Sequence, residues 1–430
     1  MLAGLILLIS YLKFNPFLAF LIVCIIGGLG LGIPLSEIAG AVQKGIGDTL
    51  GGLISIIILG AMMGKLVADS GAAQQISSTL IKLFGEKNIA WGMMFTGFVV
   101  GIPLFYNVGF VLMIPLIFAV VRQFNLHPLV AGIPMMASLS VAHGFLPPHP
   151  SPAALVNQFN ADMGVTLLYG ILAAVPTIII AGPVFAKTLG GLPIRKSTVL
   201  EVNMLEEKEL PSKFASFFTA LFPVVILAMS TILSNILEEG NAITQFFKWL
   251  SDPLMVMLVS TIVALFTLGI LRSRKIEEVM GIFTDSVKDV GMLVLIVAGS
   301  GSLKEVLLVS GVSNQIGDYL QTLPLNPLVL GWLIAAFIRI CVGSATIAGL
   351  TAAGILVPLV QSTGVNPSLM VLSVGAGSLM FSHINDTGFW LFKEYFNLSI
   401  GETIRSWSLM ETIVSIVGLV GVLVIQTLGL

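Results

Sequence analysis

Apolar residues run along this chain in long blocks separated by short polar stretches. In the first half the blocks cover 16–31, 51–68, 129–159 and 165–186. In the second half they cover 215–237, 253–271, 290–309, 369–396 and 406–430. Most approach or exceed the ~20 residues that a helix needs to cross a bilayer. Blocks 129–159 and 369–396 are interrupted by the strings HGFLPPHPSP and FSHINDTGFW. The three prolines from Pro147 to Pro150 in the first string remove backbone donors and the second crowds polar groups together, so each block predicts a broken helix. Two further apolar runs, 90–121 and 328–360, have an awkward length. One continuous helix of that size would be ~45 Å long against a hydrocarbon thickness of ~30 Å, whereas two full spans need ~40 residues plus a turn. Their centres, GIPLFYNVG and VGSATIAG, carry glycine and polar side chains. A re-entrant hairpin of two short helices fits them better than one long helix kinked at Pro103. Residues 74–84 have amphipathic helical spacing, which predicts a helix along the interface or packed on the spans.

The layout repeats. His383 follows His143 by 383 − 143 = 240 positions, and the same offset pairs Ser138-Leu139 with Ser378-Leu379 and Ser70-Gly71 with Ser310-Gly311. It also places Gln75-Ile76 on Gln315-Ile316 and Gly109 on Gly349, while NPFLAFLIVCIIGGLGLG parallels DPLMVMLVSTIVALFTLG. The expected fold is an all-α polytopic membrane protein of two repeats, 1–188 and 213–430, joined by a polar cytoplasmic linker, 189–212. Each repeat would hold about five spans, one hairpin and one unwound helix. An odd number of spans inverts the second repeat relative to the first. With the N-terminus outside, Lys13, Lys82, Lys87, Arg122, Arg195, Lys196, Lys208, Lys213, Arg272, Arg274, Lys275 and Arg405 fall on inward connections. Only Lys44 and Lys248 then lie clearly outside, as the positive-inside rule requires.

Composition sharpens this picture. Of 430 residues, 56% are hydrophobic and 10% charged, and the mean hydropathy is +1.03. Soluble chains carry about 25% charged residues, so most of this surface faces lipid. A net charge of −2 argues against a nucleic-acid partner. Cys24 and Cys341 lie in apolar stretches and read as small hydrophobes. Residues 2–12 are short for a span, and they lack the basic start and the clear cleavage site of a signal peptide. Around Lys65, GAMMGKL lacks the spacing and the Ser or Thr of a phosphate loop, so no ATPase is indicated. His143 and His149 have neither a third ligand nearby nor an HExxH pattern, which leaves a metal hydrolase weak. Neither an enzyme nor a cofactor or metal is expected.

Irregular, polar backbone at matching places in two halves is the pattern of a secondary transporter, with the breaks marking the solute site. Asn107, Ser344 and Thr346 sit at the hairpin centres, where helix ends expose backbone N–H groups to an anion, or where hydroxyls satisfy broken backbone. Asp386 costs about 2.5–3.5 kcal/mol at membrane depth, so it is a coupling site or the cap of a half-helix. His383, its neighbour, ranks above His143 and His149 as a proton carrier. Asn385 is a hydroxyl-binding candidate. Two roles are open to Arg339: a bidentate anchor for a carboxylate, or the partner of an acidic neighbour. Lys304-Glu305 reads as a local pair, and Glu411, within a late span, carries no assigned role. A passive channel or an intramembrane enzyme on His143, His149 and Asp386 would be the alternatives from other classes.

The motifs GKLVADSGAAQQI, GIPLFYNVGFVLMIPL, HGFLPPHPSPAAL, VGSATIAGLTAAGIL and GAGSLMFSHINDTGFWLFKEYF span nearly the whole chain. In them the protein resembles the gluconate permease family of bacterial proton symporters, within the ion transporter superfamily. The resemblance implies proton-coupled uptake of gluconate or a related sugar acid across the inner membrane. It also implies inverted repeats, a homodimer and elevator-like movement. Relatives place solute and coupling ions between hairpin tips and unwound segments, which here are Asn107, His143, Ser344, Thr346, His383, Asn385 and Asp386. The short first segment departs from the family pattern. Members differ in solute, from gluconate to other hexonates, hexuronates and D-serine, and sodium coupling is the close alternative to protons.

Overall fold

The computed structural model describes residues 1–104, 106–193, 205–237, 241–312, 315 and 324–429. Among them it is helical throughout, and eight helices are long and apolar enough to cross a membrane. The first repeat of the pattern contains α1 (Leu2–Ile6), α2 (Pro16–Gly30), α3 (Leu35–Asp69), α4 (Ala72–Phe84), α5 (Ile89–Gly101) and α6 (Tyr106–Phe124). There follow α7 (Pro128–Phe145), α8 (Pro150–Phe159) and α9 (Met163–Ile179), the last continued by a wide turn to Val184. The second half contains α10 (Lys213–Ile236), α11 (Ala242–Leu250), α12 (Pro253–Ala264) and α13 (Ile276–Val309). It ends with α14 (Pro327–Val342), α15 (Ala345–Thr363), α16 (Pro367–Gly377), α17 (Thr387–Tyr395), α18 (Ile400–Thr403) and α19 (Leu409–Thr427).

Local chemistry explains the helix starts. Asn15, Asp252, Asn326 and Asn366 each cap a first turn with the side-chain oxygen, followed by proline at the first helical position. Proline fits there because that turn's N–H has no intrahelical partner. α4 buries Ala73, Ile76, Ser77, Leu80 and Ile81 along one stripe and leaves Leu83 exposed. Residues 194–204 of the linker lie outside the described residues, and its end docks on α4: Gln74 exchanges two hydrogen bonds with the Leu205 backbone.

α3 and α13 each begin about fifteen residues before the apolar block expected there, 51–68 and 290–309. Hydropathy missed the extensions because they are polar. Ion pairs line them: Lys44–Asp48 within α3, Asp285–Lys288 within α13, and Lys44–Glu305 and Lys65–Asp289 between the two helices. Lys44 meets Glu305, Gly45 meets Gly301 and Lys65 meets Asp289, so numbers rise on α3 as they fall on α13 and the helices run antiparallel. At their crossing a Cβ on Gly45 would lie 2.4 Å from the Gly301 carbonyl oxygen, an approach that only glycine permits.

The run 90–121 divides between α5 and α6, and 328–360 divides between α14 and α15 at Gly343-Ser344. The legs α14 and α15 pack on each other. Block 129–159 breaks between α7 and α8, and block 369–396 between α16 and α17. The window of the first broken helix is 89% buried, against 44% for α3 and 39% for the span that starts at Pro253. The interrupted segments thus lie at the centre of the molecule, and the unbroken helices lie around them.

Candidate functional site

A cavity of about 310 Å³ opens where the tip between α14 and α15 meets the gap between α16 and α17. That volume sits at the lower end of small-molecule sites, roughly 300–1,000 Å³. Gly343 has φ +80°, and a Cβ there would lie 2.2 Å from the Asn385 carbonyl oxygen, so the hairpin tip is seated directly on the unwound segment. Two helices start at the cavity wall. Ser344 caps α15 by accepting from the Ile347 N–H, and Asp386 caps α17 by accepting from the Gly388 N–H. Thr346, Thr387 and Gly388 also line it. First-turn N–H groups and the positive ends of two helix dipoles favour an anion here.

Arg339, in the last turn of α14, is 4% exposed and pairs through Nη2 with Asp386. Asp386 is at once a helix cap and the ion-pair partner of Arg339, which is the structural one of the two roles raised for each residue. Ser382 donates to Asp386, accepts from Trp407 Nε1 at 2.8 Å, and its carbonyl accepts from Ser408. The carboxylate is therefore held from three sides. Arg339 Nε and Nη1 make no hydrogen bond among the described residues and remain as buried donors at the cavity wall.

The structure brings His143, Arg339, Ser344, Thr346 and Asp386 to one cavity. His143 packs edge-on to His149 and tilted against Tyr106, with ring centroids 5.6 Å apart in each case, and its Nδ1 has no partner among the described residues. Three other expected residues lie outside this wall. His149 reaches the Gly101 carbonyl oxygen at 2.7 Å and thereby ties the break before α8 to the end of α5. His383 Nε2 and Asn385 Nδ2 both meet the Ile340 carbonyl oxygen, at 2.9 and 2.8 Å, and so close the C-terminal turn of α14. Asn107 lies in the first turn of α6, and its side chain is outside the described residues.

Sequence reasoning missed several wall residues. Glu411 of α19 is 2% exposed, accepts from Ser140 Oγ through Oε1, and leaves Oε2 unpartnered. A carboxylate inside a span was the available signal. Nothing in the sequence separates Tyr106 and Trp407 from ordinary core aromatics. Lys65 and Asp289, 2.7 Å apart, line the same cavity from α3 and α13. Their residue types gave no hint of pairing, since 224 positions separate them.

Among the described residues, eight apolar spans and a cavity lined by charged and polar side chains fit a multi-pass membrane transport protein. The chain belongs to the GntP family permeases, whose family description matches residues 1–428, and it is a protein of the bacterial inner membrane. It is 48% identical over 424 residues to a high-affinity gluconate transporter of Escherichia coli, covering 98% of this chain and 97% of the relative. Identity is 44% to the Gnt-II system L-idonate transporter of the same organism, covering 98% and 96%, and 42% to a gluconate permease of Bacillus subtilis, covering 97% and 95%. The fold is shared with two solved transporters at 14% identity and a TM-score of 0.69. They are MtrF of Neisseria gonorrhoeae, covering 97% of this chain and 96% of that one, and YdaH of Alcanivorax borkumensis, covering 99% of each.

Proposed function

We propose that this permease imports gluconate or a closely related sugar acid by proton symport. The observation that carries the reading is Arg339: a buried guanidinium with two uncommitted donors, set between two helix N-termini in a cavity sized for a small solute. The solute's carboxylate takes those donors, and Ser344 and Thr346 offer hydroxyls to its own. Identities of 48% and 44% to gluconate and L-idonate transporters support this solute class.

Proton coupling follows from competition. A bound carboxylate and Asp386 claim the same guanidinium, and two carboxylates on one cation favour protonation of one of them. Asp386 is the group that takes up the proton on loading. His383 and His149, each engaged with a backbone carbonyl, serve to hold the hairpin ends through which that change is felt.

The halves are proposed to be inverted repeats, 1–188 and 213–430. Counterpart helices α3 and α13 run antiparallel, which supports inversion. A second polar cavity, of about 670 Å³, lies further along α3 against Gly51–Ile56, with Asn157, Asp162 and Lys248 in its wall. Two cavities at successive levels of one helix suit elevator-like alternating access, in a homodimer. Under the proposed orientation the Arg339 cavity faces the cytoplasm.

Uptake of labelled gluconate into proteoliposomes tests the reading. Wild type accumulates it under an inward proton gradient, and Asp386→Asn abolishes that accumulation. Unchanged concentrative uptake in Asp386→Asn removes Asp386 from the coupling, and accumulation driven by sodium alone overturns proton symport.

A further inference from the structure

We infer that Glu411 is a second proton-carrying site in the Arg339 cavity, so that each monoanion enters with two protons and a net positive charge. The inference rests on the proton-symport reading above. Glu411 is buried in α19, and among the described residues its side chain's one hydrogen bond is the one it accepts from Ser140. Its Oε2 is buried and unpartnered in the cavity wall that also holds Arg339. The groups that face it are known for each neighbouring element. α7 contributes Ser140 and His143, α6 Tyr106, α14 Arg339 and the cap of α17 Asp386. Packed against it as well, α9 and α16 bring no carboxylate, amine or imidazole.

The charge count of this cluster sets the stoichiometry. One guanidinium faces two carboxylates, so with both ionised the cluster carries one negative charge and repels an anionic solute. Protonating Asp386 alone frees Arg339 but leaves the ionised Glu411 to compete for it. Only with both carboxyls protonated is the guanidinium free for the solute, and the loaded cluster is then neutral. Each proton arrives from water on one face and leaves to water on the other. Solute and protons therefore bind with mutual assistance, as linkage demands. The returning empty cluster bears a single negative charge, so the cycle moves one positive charge inward and responds to membrane voltage.

The test compares wild type with Glu411→Gln in proteoliposomes holding the full-length protein. A potassium diffusion potential, negative inside, is imposed with or without a pH gradient. Wild type responds to both forces. Glu411→Gln keeps a response to the pH gradient and loses the response to voltage, because it now moves one proton with each anion. Voltage-driven uptake of wild-type size in Glu411→Gln, or a wild type indifferent to voltage, overturns the inference. A wild type indifferent to the pH gradient fails the symport reading itself, which separates the two. If Glu411→Gln transports nothing, infrared difference spectra of wild type and Glu411→Asp at stepped pH decide. A buried carboxylic-acid band that shifts in Glu411→Asp and responds to gluconate supports the role, and its absence overturns it.

Discussion

Arg339 and Asp386 illustrate why residue type alone could not separate anchor from ion pair. Asp386 was legible as a costly residue at membrane depth and Arg339 as an anchor or a partner for an acid, but their contact joins positions 47 apart across a hairpin leg and a broken helix. Breaking a buried pair by removing one partner costs about 3–5 kcal/mol, because the other charge is stranded. Arg339→Gln therefore lowers the melting temperature of the purified protein more than Arg339→Gln with Asp386→Asn does. Equal melting of the two would show that the pair is solvated. Arg339→Lys keeps the charge but loses the planar fork. Gluconate affinity in Arg339→Lys should fall at least about tenfold, or ~1.4 kcal/mol, in calorimetric titration. Ser382 is the quieter member of the cluster, touching Asp386, Trp407 and Ser408. Ser382→Ala leaves a buried indole N–H and a carboxylate oxygen short of a partner, about 1–3 kcal/mol of stability by thermal unfolding.

At the level of elements, apolar block lengths located most of the spans and polar strings located both breaks. The legible signal was the loss of backbone donors at Pro147, Pro148 and Pro150 and the crowding of polar groups from Ser382 to Thr387. What the pattern concealed were polar stretches that are nonetheless helical, the first turns of α3 and α13. Charge pairs between those helices compensate for their low hydropathy, and such pairs leave no periodic trace in one strand of sequence. Gly343 is the element-scale test. Its φ of +80° and its seat against Asn385 both forbid a side chain, whereas Gly364, with φ +63°, has nothing within 4 Å of an added Cβ. Gly364→Ala should cost only the left-handed penalty of about 1–2 kcal/mol. Gly343→Ala should in addition unseat the hairpin tip, seen as loss of gluconate binding in protein that still elutes as a folded species. Full binding by Gly343→Ala would detach the tip from the site.

Across the whole molecule, two cavities share one long helix, with Ala61 to Lys65 beside the first and Gly51 to Ile56 beside the second. If the protein alternates access, single cysteines in place of Ser286 and Ser251 should be labelled by a membrane-impermeant thiol reagent from opposite faces. Gluconate should change both labelling rates. Labelling of both from one face would contradict the inverted arrangement. The proposed duplication rests on a 240-residue offset that preserves short motifs. The site was less so, since its wall draws on both halves and on residues as ordinary as Tyr106 and Ser140.

The most direct measurement is a cryo-electron microscopy structure of the purified permease with bound gluconate. The account predicts the gluconate carboxylate within hydrogen-bonding distance of Arg339, between the starts of α15 and α17. Gluconate seated instead in the second cavity, among Asn157, Asp162 and Lys248, with Arg339 still wholly engaged by Asp386, would contradict it.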